Sequence, residues 1–146
     1  MPTAAVKRPS SETIACACTN LKMAARSVGR LYDEALAPAE LNSTQYAILA
    51  NIHRSGKLPT VALANLLNLE RTTLYRALAI LERRGFVRSK PGKGREQIVS
   101  LTRAGEAKRA EAEPLWKKAQ HGFMRSFGSD WPELLDLLRK AQSLSP

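Results

Sequence analysis

Apolar residues recur every three or four positions along most of this chain, a spacing that predicts amphipathic helices rather than strands. The first helical segment runs from Glu12 to Leu36, where Ala37-Pro38 ends it. Asn42 or Ser43 is a suitable cap for a second helix, which stops at Ser55-Gly56. The pattern therefore predicts two helices before residue 57.

Two short helices joined by a tight turn come next. Pro59-Thr60 starts the third helix, with Thr60 as its cap, and Asn68 leaves it in a left-handed conformation. The fourth helix begins near Glu70 or Arg71 and ends at Gly85. Its buried side is predicted at Leu74, Ala77, Leu78 and Leu81, its polar side at Thr72, Arg76, Ala79 and Arg83, with Thr73 and Tyr75 on the shoulders, and the third helix buries Val61, Leu63, Leu66 and Leu67. This is the helix-turn-helix pattern, typical of DNA-binding proteins.

A β-hairpin is predicted directly after the fourth helix. The segments 86–90 and 97–101 are rich in strand-forming residues, and Pro91-Gly92-Lys93-Gly94 supplies the turn between them. Such a hairpin beside a helix-turn-helix is a wing. The predicted fold class is therefore mostly α with a small β wing, a winged helix-turn-helix core with helices at both chain ends.

Two more helices complete the pattern. Thr102 is a suitable cap for the fifth, in which Pro114 must introduce a kink or a split at Glu113. The run 128–130 breaks that helix, and Asp130 is a suitable cap for a sixth.

The charge of the chain is strongly positive and unevenly distributed. Lys and Arg number 23 against 13 Asp and Glu, which gives a formal net charge of +10. The segment 71–95 holds eight basic residues and one acid, Glu82, so it contributes 8 − 1 = +7. A basic run is often only a solvated surface. Here it coincides with the predicted helix and hairpin, which favours a polyanionic partner.

The predicted organisation is one domain with an arm. Residues 1–11 are polar and aperiodic and are interpreted as a flexible arm, and residues 12–146 form a single domain with the winged helix at about 42–102. The helices at about 12–36 and 103–144 would leave apolar faces exposed in a monomer, which predicts a homodimer. No apolar run reaches the length of a signal peptide or a membrane span, so we expect a cytoplasmic, nucleoid-associated protein with no membrane partner.

Enzyme chemistry finds no support in the sequence. Cys16 and Cys18 lie about 200° apart around a helix, so they cannot close a disulfide within it. His53 and His121 are far away and give no metal-ligand spacing. There is also no glycine loop for phosphates, no nucleophile elbow and no pair of carboxylates on one element. We predict neither an enzyme nor a cofactor.

Three stretches resemble the MarR family of bacterial transcriptional regulators. LNSTQYAIL from Leu41 is similar to that family's second helix, LERTTLYRALAILERRGFV from Leu69 to its recognition helix and first wing strand, and REQIVSLTRAG from Arg95 to its second wing strand and the start of its fifth helix. The resemblance implies an obligate dimer on pseudo-palindromic operator DNA, usually released by a phenolic or carboxylate ligand or by cysteine oxidation. We interpret the chain as a repressor of this kind. Its wing tip, Lys93-Gly94-Arg95, departs from the family's usual Asp-x-Arg.

The outward face of the fourth helix supplies the residues expected to read bases. Arg76 can pair with guanine, and Thr72 and Thr73 can contact thymine methyl groups or form hydrogen bonds. Phosphate contacts are expected from the flanking residues Thr60, Arg71, Tyr75, Lys90, Lys93 and Arg95. Two alternatives stay open: Tyr75 as a half-buried packing residue, and Thr60 as a plain helix cap.

A redox sensor is the first candidate switch. Cys18 lies one turn from Lys22, whose ammonium lowers the pKa of a nearby thiol. In an alignment with the family, Cys18 falls where peroxide-sensing members keep their reactive cysteine, and Tyr32 matches one accompanying tyrosine, whereas two others are Lys22 and Ser43 here. Cys16 is a second candidate. The alternative is that both cysteines are small residues packed at the dimer interface.

A small-molecule effector is the second candidate switch. Its pocket is expected between the dimer-forming helices and the winged core, and its candidate lining residues are Arg26, Tyr32, Tyr46, His53 and Trp116. A packing role for His53 and Trp116 is the competing interpretation.

Other functions of the binding class remain as alternatives. A non-specific architectural or RNA-binding protein would need only the basic charge and would show no operator preference. An adaptor that uses the winged fold for protein contacts would leave the threonine-rich outer face and the +7 cluster unexplained.

Overall fold

The computed structural model describes residues 16–145. The predicted arm and the first residues of the predicted first helix, 12–15, lie outside this range. Within it, the elements are α1 (Ala17–Leu36), a 3-10 turn (Ala37–Ala39), α2 (Ser43–Ser55), β1 (Lys57–Pro59), α3 (Thr60–Leu67), α4 (Arg71–Arg83), β2 (Val87–Pro91), β3 (Gln97–Leu101), α5 (Arg103–Phe127), a 3-10 turn (Gly128–Asp130) and α6 (Trp131–Gln142). The predicted fold class, mostly helical with a small β wing, is confirmed.

Local hydrogen bonds set several of the boundaries that the sequence predicts. Asn42 caps α2: its Oδ1 accepts from the Gln45 backbone N–H at 2.8 Å, and Gln45 Oε1 accepts from the Asn42 N–H at 3.0 Å. Asn68 leaves α3 with φ of 49°, in the left-handed region. The Thr102 side chain caps α5 by accepting from the Gly105 N–H at 3.0 Å.

The structure corrects three local predictions in part or in full. Thr60 is the first residue of α3 rather than its cap, because Pro59 occupies the capping position. Of the two outcomes expected at Pro114, a kink or a split, the split is wrong, since α5 continues through this residue. Asp130 stands at the start of α6, but its side chain makes no capping hydrogen bond.

The sheet has one strand more than the hairpin. Its order is β1-β3-β2, with both pairs antiparallel. The strand β1 is only three residues long and contains Pro59, so it gives no periodic signal that a sequence pattern could reveal. It pairs Leu58 with Val99, and both side chains are buried. The sheet therefore has one face on the core and one face towards solvent.

The core joins the sheet to α2, α3 and α4. Its largest fully buried side chains are Leu36, Ile48, Leu49, Ile52, Leu63, Leu74, Leu81 and Val99. In α3 the predicted buried side is only partly right, since Leu63 is buried but Val61 is exposed and Leu66 is 58% exposed. A helix of eight residues turns only one narrow side to its neighbours, which is why half of its apolar residues remain outside.

The start of α5 packs tightly on the turn that follows α4. The Thr102 N–H donates to the Phe86 carbonyl at 3.1 Å, and the Thr102 hydroxyl donates to the Gly85 carbonyl. Gly105 faces the same turn, where a Cβ atom would lie 1.9 Å from the Phe86 carbonyl oxygen. Only glycine allows this approach.

We predict that Gly105→Ala lowers the free energy of unfolding by about 2 kcal/mol, because the methyl group forces α5 away from Phe86. Urea denaturation measures the change. The control is Gly122→Ala in the same helix, where the nearest neighbouring atom lies at 3.9 Å and where alanine should stabilise by up to about 1 kcal/mol. Equal stabilities for the two variants would contradict the packing described here.

Candidate nucleic-acid interface and the adjoining cleft

The helix α4 presents a polar face because its leucines are anchored in the core. Leu74, Leu78 and Leu81 are buried. The opposite side of the helix is exposed and includes Arg71, Thr72, Thr73, Tyr75, Arg76, Ala79 and Arg83. The structure therefore brings the predicted base-reading residues together on one open surface.

Two predicted phosphate contacts have different environments. Tyr75 is 49% exposed, so half of its surface is available to a ligand. Thr60 is only 4% exposed, and its hydroxyl donates to the Gln97 carbonyl at 3.0 Å, which ties α3 to β3. The assignment of Thr60 to a phosphate was therefore wrong, since its side chain is buried and already has a partner.

The wing tip is a compact turn with cations around it. The Gly92 N–H donates to the Glu96 carbonyl at 2.8 Å, and the Glu96 N–H donates to the Lys93 carbonyl at 3.1 Å. Gly94 has a φ of 61°, which glycine adopts without strain. Lys90, Lys93 and Arg95 are all exposed around this turn.

The positive charges of this region are not neutralised by neighbouring acids. Across residues 16–145, ion pairs involve His53 of α2, the charged residues of α5, and one pair in α6. None involves a basic residue of the segment 71–95. Seven of its eight basic residues are exposed, and the eighth, Arg84, is half-buried. This surface therefore keeps its full attraction for a polyanion.

Arg84 has a structural role that the sequence did not reveal. Its Nη1 donates to the Glu40 carbonyl at 2.8 Å, and its guanidinium carbon lies 4.9 Å from the centre of the Phe86 ring. The Lys108 ammonium is 5.7 Å from the same ring. The end of α4 is thus fixed by contacts from two other parts of the fold.

Both cysteines are exposed free thiols at the start of α1. Cys16 is the residue before the helix, and only Cys18 lies within it. The prediction that both cysteines lie on one helix was therefore wrong for Cys16. Hydrogen bonds from the Thr19 backbone and side chain, and from the Cys18 backbone, lower the pKa of the Cys16 thiol. These hydrogen bonds stabilise the Cys16 thiolate, which makes Cys16 the candidate nucleophile at this end of α1.

A cleft of about 450 Å³ lies between α2 and α5 and reaches α1. Four of the five predicted lining residues, Tyr32, Tyr46, His53 and Trp116, do line it, whereas Arg26 does not and its side chain is exposed on α1. The sequence missed Arg54, Arg109 and Glu113. The spacing of 109, 113 and 116 along one side of a helix was the signal that could have revealed the last two.

The walls of this cleft are partly aromatic and partly ionic. The Tyr46 and Trp116 rings stack with centres 5.8 Å apart. Lys117 and Arg109 hydrogen-bond to Glu113 and lower the pKa of its carboxyl to about 2, so this group stays ionised at neutral pH. Burial raises the pKa of Tyr46. Arg109 Nε is buried without a hydrogen-bond partner among the described residues.

At one end of the cleft, His53 is held by α5. Its Nδ1 lies 2.7 Å from Glu106 Oε2. At the other end, the Tyr32 hydroxyl donates to Gln120. The His53 contact connects the cleft to the first turn of α5, which packs on the turn before the wing, and the Tyr32 contact joins α1 to a later turn of the same helix.

Membrane-spanning helices and metal-binding clusters are both absent from residues 16–145, which the structure describes. No helix there is long and apolar enough to cross a membrane. No group of three or more His, Cys, Asp or Glu side chains is placed to hold a metal ion among those residues.

Comparisons with known proteins agree on a single family. The model of the MarR family matches residues 41–94, which extend from α2 to the wing tip. A Bacillus subtilis (strain 168) protein described as an uncharacterized HTH-type transcriptional regulator, YwoH, is 28% identical over 108 residues, which cover 73% of this chain and 79% of that protein.

Solved structures extend the similarity to nearly the whole chain. The M. tuberculosis transcriptional regulator MosR, in complex with DNA, is 37% identical with a TM-score of 0.80, and the match covers 87% of this chain and 93% of that chain. A mutant E. coli MarR complexed with operator DNA has the same fold, at 22% identity and a TM-score of 0.75 over 87% of this chain and 93% of that one. The chain therefore belongs to the MarR family of transcriptional regulators, which agrees with the prediction that it is not an enzyme.

Proposed function

We propose that this protein is a sequence-specific DNA-binding transcriptional repressor, which binds a pseudo-palindromic operator as a homodimer and is released by an effector or by cysteine oxidation. The observation that carries DNA binding is the exposed polar face of α4 beside an unneutralised basic wing. The 37% identity to a regulator crystallised with DNA supports the same conclusion.

We assign base contacts and phosphate contacts to different side chains, according to their exposure and their chemistry. Arg76 pairs with a guanine edge, and Thr72 and Thr73 contact neighbouring bases, since they lie on the open face of α4. The surrounding side chains hold phosphates and fix the register of the helix: Arg71, Tyr75, Lys90, Lys93 and Arg95. The wing, with Lys93 in place of the family's aspartate, acts first as a basic clamp.

Homodimer formation is supported by apolar surface at the chain ends. Exposed apolar side chains remain on α1, at the last residue of α5 and beyond it, namely Leu21, Met23, Leu31, Phe127, Leu137 and Leu144. A groove of about 630 Å³ between α1 and α5 is lined in part by Leu31, Leu115 and Phe123. A two-fold dimer through these helices would bury this surface and place two copies of α4 about one helical turn of DNA apart.

Oxidation would act at the start of α1. The Cys16 thiolate attacks peroxide: an S–O bond forms, the O–O bond breaks and hydroxide leaves, which gives a sulfenic acid. A second thiol then attacks the oxidised sulfur, an S–S bond forms and water leaves. Because Cys16 immediately precedes a helix of the proposed dimer interface, this change would alter the spacing of the two recognition helices.

An effector would bind in the cleft between α2 and α5. The stacked Tyr46 and Trp116 rings offer a planar apolar wall, and the Arg54 and Arg109 guanidinium groups line the same cleft. This combination suits a small aromatic carboxylate. A bound effector would displace α5. The cap of this helix, Thr102, hydrogen-bonds to the turn that follows α4, so the displacement would reach the recognition helix.

Two substitutions distinguish base reading from phosphate attraction. Arg76→Ala should weaken binding to a specific site by about 1–3 kcal/mol and relax sequence preference, whereas Lys93→Ala should weaken all duplexes similarly. Fluorescence titrations at fixed salt on specific and random duplexes measure both. Lys140→Ala on α6 is the charge-matched control. Equal losses on both duplexes for Arg76→Ala would remove Arg76 from base reading.

Selection of bound genomic fragments tests specific regulation and oxidation together. The wild-type protein should select a two-fold motif, and peroxide should abolish the selection. Cys16→Ser should select the same motif with and without peroxide, because the thiol with the lowered pKa is gone, while Cys18→Ser should retain part of the response as a sulfenic acid. Fragments without a common motif would instead indicate a non-specific architectural protein. A Cys16→Ser variant that still responds would exclude Cys16 as the sensor.

Calorimetry with benzoate as the probe tests the cleft. Arg109→Met should weaken benzoate binding by roughly tenfold or more, because a charged hydrogen bond is lost. Arg26→Ala removes a cation that does not line the cleft and should leave affinity unchanged. Cyclohexanol, which has neither ring aromaticity nor carboxylate, should bind neither protein. If Arg26→Ala and Arg109→Met behave alike while both remain folded by circular dichroism, the assignment of the cleft is wrong.

A further inference from the structure

A small groove adjoins the cleft between α2 and α5. It has a volume of about 190 Å³. Its lining residues come from the first turns of α2 and from both sides of the turn that joins α3 to α4, and they are Ser43, Thr44, Ala47, Leu67 and Leu69. We call this depression the turn groove. None of its five lining side chains is charged, so it offers an apolar surface to a ligand.

The cleft and the turn groove are contiguous. Ser43 and Ala47 line both of them. These two residues are four positions apart in α2, so their side chains lie one above the other on one side of the helix. Both are half-buried, and both side chains are small. A ligand in the cleft can therefore extend into the turn groove without displacing a large side chain.

The two depressions differ in their chemistry. Arg54, Arg109 and Glu113 give the cleft charged walls beside its stacked aromatic rings. In the turn groove the largest side chains are Leu67 and Leu69, and both are half-buried against the core. A polar aromatic head group therefore suits the cleft, and a hydrocarbon chain suits the turn groove.

We infer that the turn groove binds the apolar tail of an effector whose aromatic carboxylate head occupies the cleft, so that the ligand is an alkyl-substituted aromatic acid. The inference rests on the proposed function, because it extends the proposed effector site.

The volume of the turn groove limits the tail to a short chain. The volume of about 190 Å³ equals the space of roughly six water molecules, at about 30 Å³ for each. A butyl group fits this space, whereas a long fatty acyl chain does not. Each methylene group that is fully removed from water increases affinity by a factor of roughly three to four. Because the lining residues are only half-buried, we expect part of this gain for each carbon atom.

The tail lies against the turn that leads into the recognition helix. Leu67 is the last residue of α3, and Leu69 lies two residues before α4. Between them, Asn68 has a left-handed backbone conformation, and the Leu69 N–H donates to the Ala64 carbonyl at 2.9 Å. The turn groove therefore gives an effector a direct contact with the helix-turn-helix, in addition to the contact that its head group makes with α5.

Calorimetry with benzoate and the three butylbenzoate isomers measures the contribution of the tail. The wild-type protein should bind the tightest isomer about tenfold or more tightly than benzoate. Pentanoate, which has a carboxylate and a hydrocarbon chain but no ring, should bind much more weakly than that isomer, because the aromatic wall of the cleft then has no partner.

Two substitutions at Thr44 test the groove, because this residue lines the turn groove and not the cleft. Thr44→Tyr should abolish the gain from the butyl group and keep the wild-type affinity for benzoate, since the larger side chain fills the groove. Thr44→Val, which is nearly isosteric, should instead increase affinity for the tightest isomer by about twofold to threefold, because a hydroxyl no longer faces the tail.

A matched control places the same tyrosine elsewhere on α2. Ser55 is the last residue of this helix, is exposed and lines neither depression. Ser55→Tyr should therefore retain the full gain from the butyl group. Circular dichroism verifies that each variant is folded, and Thr44→Val decides the question if Thr44→Tyr is not.

Several results would overturn the inference. Equal affinities of the wild-type protein for benzoate and all three isomers would show that the groove takes no tail. A gain that survives in folded Thr44→Tyr, that is lost equally in Ser55→Tyr, or that Thr44→Val leaves unchanged would place the tail elsewhere. Pentanoate that binds as tightly as the best isomer would make the groove an independent site for aliphatic acids. If no probe binds, the proposed effector site fails together with this inference, whereas benzoate binding without a gain from the butyl group removes the inference alone.

Discussion

The burial of one side of α4 is the constraint on which the rest of this structure depends. Leu74, Leu78 and Leu81 occupy the same core as the inner side of the sheet and α2, so the helix cannot rotate without exposing them. Burying each such leucine is worth roughly 1.5–3 kcal/mol, whereas an exposed threonine or arginine on the other side has little preference between rotations. The apolar packing therefore decides which polar residues reach the surface. The packing of these leucines thus determines which face of α4 is available to DNA.

The second constraint is the close approach of α5 to the end of α4. Thr102 bonds to the turn at Gly85 and Phe86, and Gly105 leaves no space between the helix and that turn. The same helix carries Glu106, Arg109, Glu113 and Trp116 to the cleft. A single rigid element is thus shared by the wing, the proposed effector cleft and the proposed dimer interface. Any displacement of α5 reaches the recognition helix through contacts of about 3 Å rather than through a flexible linker.

Charge is segregated along the chain in a way that matches this division. The basic residues of α5 that approach acids, such as Lys108, Arg109 and Lys117, are neutralised by carboxylates one turn away. Those on α4 and the wing have no such neighbours in the described structure. Isolated surface ion pairs contribute little stability, so the acids of α5 matter more for local charge than for folding. Their effect is to lower the positive charge of α5 relative to that of α4 and the hairpin.

Local patterns are sufficient to predict the six helices, the hairpin and the recognition face, because these depend on periodicity and on capping residues such as Asn42, Asn68 and Thr102. Four of the residues around the cleft could also be predicted. The remaining features depend on contacts between distant segments. Thr60 looks like a cap until β3 supplies Gln97 as its partner, and β1 is too short to be periodic and exists through pairing across the sheet. Arg26 and Arg109 are equivalent as cations in the sequence, yet one is exposed on α1 and the other lines the cleft. Which side chains meet across distant segments is fixed by long-range packing, and local patterns contain no information about that.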